Sequence, residues 1–162
     1  MLNHAGHANV QSSERGTVYL VNDNVVVSQL SDITGAASDK WASTAVTATT
    51  PAAISAANLA EGTYHAWAVD AAGNLSVISG SSVMVDNTVP VFTSATTAVD
   101  ITDSTHAGDT VYTAAATDAH GVTYSLNDTV HFRLNASTGV VTLLSSPANA
   151  TGAQFIVTAS DA

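Results

Sequence analysis

Side chains that could bind a metal ion gather near the middle of the chain. Asp86 and Asn87 stand four and three residues before Pro90, and Asp70 follows the strand-like run Thr63–Val69. Carboxylate and amide oxygens are the ligands that calcium prefers, at roughly six to eight per ion. An Asp-Asn pair before a proline, with further aspartates at strand ends, is typical of a calcium-bound junction between two β-sandwiches. The pattern indicates a structural metal site.

Motifs that carry catalysis are absent from the sequence. It contains no Gly-x-Ser-x-Gly, no His-Glu-x-x-His and no phosphate-binding glycine loop. Glu14 and Glu61 are its only glutamates, so the paired carboxylates of glycoside hydrolases are not evident. His4 and His7 form a His-x-x-His pair, but a terminal segment lacks the hydrogen bonds that orient metal-binding histidines. We expect no enzymatic activity.

Composition limits the partners of the chain. Thirteen acidic residues stand against Arg15, Lys40 and Arg133, giving a net charge of -10. Nucleic acid is therefore not expected as a partner, because few cations are present to displace phosphate counterions. No apolar run reaches the roughly 20 residues that span a bilayer, so we expect no membrane insertion. The N-terminus does not resemble a signal peptide, and we expect the chain to be a piece of a longer exported protein.

Alternating runs rich in Val, Thr and Tyr predict an all-β protein. With 162 residues, of which 46% are apolar and 6% aromatic, the chain can form two small domains with cores of small side chains. In the first half the predicted strands are Thr17–Asn22, Val25–Leu30, Thr44–Thr49, Thr63–Val69 and Ser82–Val85. In the second half they are Val91–Thr96, Thr110–Ala116, Val122–Leu126, His131–Leu134, Val140–Leu144 and Gln154–Ala159.

Turn residues predict two hairpins. Asn22-Asp23-Asn24 favours a tight turn between the first two strands, and Asn135–Gly139 favours another in the second half. Pro51–Gly62 is interpreted as a loop. Along Thr63–Val69, Tyr64 is predicted to face one way with Ala66 and Ala68, while Trp67 faces the other way. We expect Trp41 or Trp67 to fill the core.

Each half of the chain contains segments whose sequence matches a known kind of repeat. In the second half they are Val122–Leu126, His131–Leu143 and Phe155–Ala162, and this half resembles a cadherin-like repeat of bacterial surface proteins. In the first half they are Gly16–Val21, Leu59–Tyr64 and Val69–Ser76, and this half resembles the immunoglobulin-like repeats of giant secreted bacterial adhesins. The resemblance implies two tandem Greek-key β-sandwiches over residues 1–88 and 89–162, the second lacking its last strand, on the bacterial cell surface.

The resemblance also implies a set of calcium ligands. Asp70, the linker residues Asp86 and Asn87, and Asp118 match the positions that share calcium at such junctions. His120 stands where a second aspartate is expected, and imidazole is a poor calcium ligand. We therefore expect one ion, or a weak site completed by water and backbone carbonyls.

Asp103 and Asp161 match acidic positions that would form a second half-site at the far end of the chain. The resemblance implies that they bind calcium only beside a following domain.

These observations predict a non-catalytic extender or adhesion segment in which calcium stiffens the interdomain junction. Its expected partners are neighbouring repeat domains, with homophilic strand exchange possible at the edge left by the missing strand. Two alternatives stay open at this point. One is a carbohydrate-binding or self-associating module, which would use exposed aromatic side chains. The other is an accessory sandwich of a secreted polysaccharide-degrading enzyme.

Overall fold

Short runs rich in Val, Thr and Tyr form most of the regular structure, because β-branched and aromatic side chains favour extended backbone. The computed structural model describes every residue except 99, 103, 146–149, 151 and 162. The chain divides into two units, Met1–Asn87 and Thr88–Ala162, and each unit is a β-sandwich with its own core. The predicted all-β class is confirmed.

Unit 1 packs a four-stranded sheet against a two-stranded sheet. Its elements are β1 (His7–Val10), β2 (Gly16–Asn22), α1 (Leu30–Thr34), β3 (Trp41–Val46), β4 (Ala52–Ser55), β5 (Gly62–Asp70) and β6 (Ser82–Val85). The larger sheet has the order β3-β2-β5-β6, and the smaller sheet pairs β1 with β4. All of these neighbours are antiparallel.

Tyr64 is the largest buried side chain in the core of unit 1. It packs in one cluster with the buried Val18 and Leu20 of β2. The Tyr64 hydroxyl donates to the backbone oxygen of Ala60 at 2.8 Å and contacts that of Asp39 at 3.0 Å, which satisfies its polar end. Because Ala66 and Ala68 pack against the same cluster, the predicted alternation along β5 is confirmed.

Both tryptophans lie outside this core. The strand register pairs Tyr19 with Trp67 and Val21 with Trp41. These residues therefore occupy the face of the sheet opposite to the inward-facing Val18. The prediction that a tryptophan fills the core is wrong, because Tyr64 takes that place.

The predicted hairpin between Thr17–Asn22 and Val25–Leu30 is also wrong. β2 pairs with β3 and β5, and the chain that follows β2 leads into α1. The Asp32 carboxylate accepts hydrogen bonds from the backbone N–H groups of Ser28 (2.8 Å) and Gln29 (3.0 Å). This capping arrangement favours the start of a helix over an extended strand.

Unit 2 contains a second sandwich of shorter strands. Its elements are β7 (Val91–Phe92), β8 (Thr110–Thr113), β9 (Ala116–Thr117), β10 (Val122–Leu126), β11 (Phe132–Leu134), β12 (Val140–Leu143) and β13 (Val157–Asp161). The sheets are β11-β12-β8, β10-β13 and β7-β9. Phe132, Val141 and Leu143 are among the buried core residues. The predicted turn Asn135–Gly139 joins β11 to β12 and is confirmed.

One edge of β13 has no partner strand in the described part of unit 2. β13 pairs with β10 from Val122↔Asp161 to Leu126↔Val157, and no described strand pairs with the other edge of β13. Within the described ranges, no helix has the length and apolar character needed to cross a membrane.

Candidate functional site

One end of unit 1 brings three oxygen-bearing side chains together. β5 and β6 are antiparallel with Gly62 opposite Val85, so the residue before β5 and the residues after β6 lie at the same end of the sheet. The backbone N–H of Asn87 donates to Glu61 Oε1 at 3.1 Å. The register thus adds Glu61 to the predicted pair Asp86 and Asn87. Sequence reasoning missed Glu61 because it precedes them by 25 and 26 residues.

Two of these side chains are held in a buried setting. Asp86 is 1% exposed, and its backbone N–H donates to the Leu2 carbonyl at 2.8 Å. The Asn87 side-chain N–H donates to the Leu59 carbonyl at 3.3 Å. Within the described part of the chain, the buried Asn87 Oδ1 accepts no hydrogen bond. Leaving such an oxygen unsatisfied costs about 1–3 kcal/mol, and a cation bound there would remove the cost.

Asp70 lies at the opposite end of β5. The pair Gly16↔Asp70 marks one end of this nine-residue strand, and the pair Gly62↔Val85 marks the other. At about 3.3 Å per residue, these ends are about 26 Å apart. Calcium–oxygen distances are about 2.3–2.6 Å, so Asp70 cannot share an ion with Asp86. The structure does not bring these predicted ligands together.

The Asp70 carboxylate is occupied by its own loop. Asp70 Oδ1 accepts hydrogen bonds from the backbone N–H groups of Ala72 and Asn74, both at 2.8 Å. Asp70 Oδ2 accepts a bond from the Asn74 side chain at 2.7 Å. These bonds, that of the Asn74 side chain above all, hold the pKa of Asp70 below its ordinary value. Asp70 is therefore satisfied as a turn residue.

Asp118 lies in the loop between β9 and β10 of unit 2. Because Thr117 pairs with Val91, Asp118 stands at the end of the unit where β7 begins. Asp118 Oδ1 accepts a bond from the backbone N–H of His120 at 2.9 Å. Asp118 Oδ2 is buried and accepts no hydrogen bond from the residues that the structure describes. One carboxylate oxygen is therefore left for a further ligand.

Asp161 lies at this same end of unit 2. It pairs with Val122, the first residue of β10, which follows the loop of Asp118 directly. Asp161 therefore lies at the end of unit 2 where β7 begins, and not at the opposite end, where the expected half-site would meet a following domain. Asp103, the other residue of that expected half-site, lies outside the described residues.

The donor groups at these two ends fit a hard cation. Glu61, Asp86 and Asn87 in unit 1, and Asp118 and Asp161 in unit 2, offer carboxylate and amide oxygens. Such oxygens are the ligands that calcium selects, whereas zinc and copper prefer nitrogen or sulfur. The residues present therefore fit calcium.

No protein-family model and no curated protein matches the chain. Among solved structures, the chain is similar to the crystal structure of the protocadherin gammaB4 extracellular domain, with 17% sequence identity and a TM-score of 0.38. The similarity covers 97% of this chain and 24% of that chain, so the chain spans about a quarter of the length of its structural neighbour. A likeness this distant carries no information about ligands or partners.

Proposed function

We propose that the chain is a non-catalytic extender or adhesion segment of a bacterial cell-surface protein, in which calcium stiffens the junction between its two β-sandwich units. Its partners would be neighbouring repeat domains of the same protein. The open edge of β13 would offer a second contact, by pairing with a strand of another copy. The acidic, lysine-poor composition supports an extracellular setting, where divalent cations offset carboxylate repulsion.

The observation that carries this proposal is the buried Asn87 Oδ1, which accepts no hydrogen bond from any described residue. It belongs to a residue that also contacts Glu61 and follows the buried Asp86. An unsatisfied amide oxygen at the same end of the sheet as two acidic residues suits a divalent cation and is costly without one.

Unit 2 supplies matching chemistry a short distance along the chain. Only Thr88, Val89 and Pro90 separate Asn87 from Val91, the first residue of β7. Asp118 stands at the same end of unit 2 as β7 and carries an oxygen without a donor in the described chain. A calcium ion bound by both units would take its ligands from these two ends.

Calcium would act on the junction by replacing repulsion with shared ligands. Without the ion, the acidic side chains near the linker would repel one another, and the three-residue linker can bend. With the ion, oxygens of both units are tied to one centre, and the two sandwiches move together. Because His120 offers no oxygen side chain, we expect few ions and an affinity in the range of extracellular calcium modules, about 10⁻⁴–10⁻³ M.

Calorimetric unfolding at fixed ionic strength tests this proposal. Calcium at 100 times its Kd should stabilise the folded chain by about 2.7 kcal/mol relative to chelator. Asp86→Ala should abolish the calcium-dependent gain. Asp70→Asn is the matched control and should keep the gain, because Asp70 lies at the other end of β5. Identical unfolding curves in calcium and in chelator would contradict a role for calcium in this protein.

Small-angle X-ray scattering tests the mechanical part separately. Calcium should narrow the distribution of interatomic distances for the native chain and leave that of Asp86→Ala unchanged. If calcium stabilises the protein but leaves its scattering unchanged, the metal site is supported and the stiffening role is contradicted.

A further inference from the structure

The outer face of the four-stranded sheet in unit 1 carries a row of aromatic side chains that a calcium site does not use. Trp41, Tyr19 and Trp67 lie on the adjacent strands β3, β2 and β5, on the side opposite to the core. The rings of Tyr19 and Trp41 are 5.8 Å apart between centroids and inclined at 50°. This aromatic row contains both tryptophans of the chain.

The aromatic row remains partly open to solvent. Its three rings are each half-buried, in contrast to the fully buried Tyr64 of the core. Ser43, which pairs with Tyr19 on the same face, is exposed. Aromatic surface that is partly accessible on an outer sheet face is a candidate for interaction with a partner.

The surroundings of Tyr19 and Trp67 are uncharged. Their neighbours on this face, in the rows of Tyr19 and Thr17, are Ser43, Ala45 and Val69. The row of Trp41 differs, because it contains the buried Val21 and also His65, whose Nε2 is 3.5 Å from Asp23. In a chain with 13 acidic residues, a neutral patch of this kind matches an uncharged partner.

The spacing of the aromatic row matches a linear chain of sugar rings. Neighbouring strands are about 4.8 Å apart, and Trp41 stands two residues along β3 from Ser43, the partner of Tyr19. The Cα atoms of Trp41 and Trp67 are therefore about 12 Å apart, close to the length of a disaccharide. Pyranose rings stack their C–H faces on aromatic rings, and hydroxyl groups such as that of Ser43 can bond the sugar edge. The Trp41 indole N–H is buried and has no acceptor among the described residues, so it is not available to a ligand at the surface.

We propose that the aromatic row of Trp41, Tyr19 and Trp67 binds an extended, uncharged polysaccharide chain. This binding is independent of the calcium site proposed above. A second copy of the protein is the less suitable occupant. Three aromatic side chains of about 150–250 Å² each, only partly exposed, offer far less than the roughly 800 Å² per partner of a stable interface.

Intrinsic fluorescence tests the proposal, because both tryptophans lie in the aromatic row. The full chain is titrated with cellohexaose, xylohexaose and mannohexaose, and with an oligogalacturonate as the charged comparator. At least one uncharged oligosaccharide should shift the tryptophan emission, and isothermal titration calorimetry should give its affinity. Chelation of calcium should leave this affinity unchanged, which separates the proposal from that of the metal site.

Substitutions assign the binding to the aromatic row. Trp67→Ala should weaken the affinity about tenfold or more, and Trp67→Phe should keep part of it, because a planar ring remains. Phe92→Ala removes an aromatic side chain that is 44% exposed in unit 2 and should have no effect. Far-ultraviolet circular dichroism identifies any variant that fails to fold, and Trp67→Phe then decides the outcome.

Two results would overturn the proposal. One is the absence of any emission shift or heat with the uncharged oligosaccharides at millimolar concentration. The other is a concentration-dependent dimer, detected by light scattering, that Trp67→Ala abolishes; this would assign the aromatic row to contact between two copies.

Discussion

Asp70 in unit 1 and Asp118 in unit 2 begin loops of the same pattern, Asp-Ala-x-Gly, yet their carboxylates are in different states. In unit 1 the residue after the glycine is Asn74, whose side chain and backbone both donate to Asp70. In unit 2 that residue is Val122, which begins β10 and has no side-chain donor. The loop of unit 1 donates hydrogen bonds to both oxygens of Asp70, whereas Asp118 Oδ2 has no donor in the described chain.

The comparison shows that a sequence pattern alone does not separate a turn aspartate from a ligand aspartate. The separation depends on how many hydrogen bonds the carboxylate already accepts. Asp70 accepts three, which satisfies the local turn. Asp118 accepts one hydrogen bond on Oδ1, from the backbone N–H of His120. Its second oxygen accepts none from a described residue, so it can bind a cation without losing a protein partner.

The largest expected effect is a difference in calcium affinity between the variants in which Asp118 or Asp70 is neutralised. Asp118→Asn should weaken calcium binding by about tenfold or more, equivalent to about 1.4 kcal/mol, because it removes a charged ligand. Asp70→Asn should leave the affinity unchanged. Isothermal titration calorimetry of both variants with calcium measures the difference. Equal losses in the two variants would show that the comparison misassigns their roles.

A smaller effect in the opposite direction should follow from His120→Asp. This change replaces an imidazole by a carboxylate two residues after Asp118 and raises the number of charged oxygen ligands. We expect calcium to bind about fivefold more tightly, since ligand charge tunes calcium affinity. The matched control is His106→Asp, which adds the same charge beside Asp109, in a different loop. If both variants gain equally, net charge and not a local ligand explains the effect.

Asn74→Ala should remove the side-chain hydrogen bond that holds Asp70 in the loop after β5. The Asp70 carboxylate loses its strongest donor, so its pKa should rise towards the ordinary value, as measured by carbon-detected NMR titration. The unfolding midpoint should fall slightly and by the same amount in calcium and in chelator. A calcium-dependent change in this midpoint would reveal a metal site at Asp70.

Acidification should produce the smallest effect. The folded pKa of Asp70 is lowered by Asn74, and that of Asp128 is lowered chiefly by His131, whose Nδ1 lies 2.8 Å from Asp128 Oδ2. A lowered folded pKa adds stability above the unfolded pKa of about 3.9, and this stability is lost as pH falls through the folded pKa. In chelator, unfolding midpoints should therefore decline below about pH 4. Asp128→Asn should make this decline shallower.

Local signals predicted much of the fold. The alternation of Tyr64, Ala66 and Ala68 correctly predicted a strand with one core face. The prediction of a loop over Pro51–Gly62 is wrong, because this range contains β4. Like β1, β4 has only four residues and is too short to establish a period. The valines of Val25–Leu30 predict a strand, whereas the capping bonds of Asp32 direct the end of this segment into α1.

The candidate site was predictable in its chemistry and less so in its membership. Asp86, Asn87 and Asp118 stand out because the linker and the loop before β10 are local features. Glu61 joins Asp86 and Asn87 only through the pairing of β5 with β6. The same pairing separates Asp70 from Asp86, although a linear reading of the sequence suggests that they act together.

The sequence by itself determined the all-β class, the turn between β11 and β12, and the oxygen-rich, lysine-poor chemistry, because these depend on side-chain type and on neighbours along the chain. Only the tertiary structure decided which end of a sandwich each carboxylate occupies and that the tryptophans lie on an outer face. Antiparallel pairing reverses the chain at every turn, so the strand register, which depends on long-range packing, determines which residues meet.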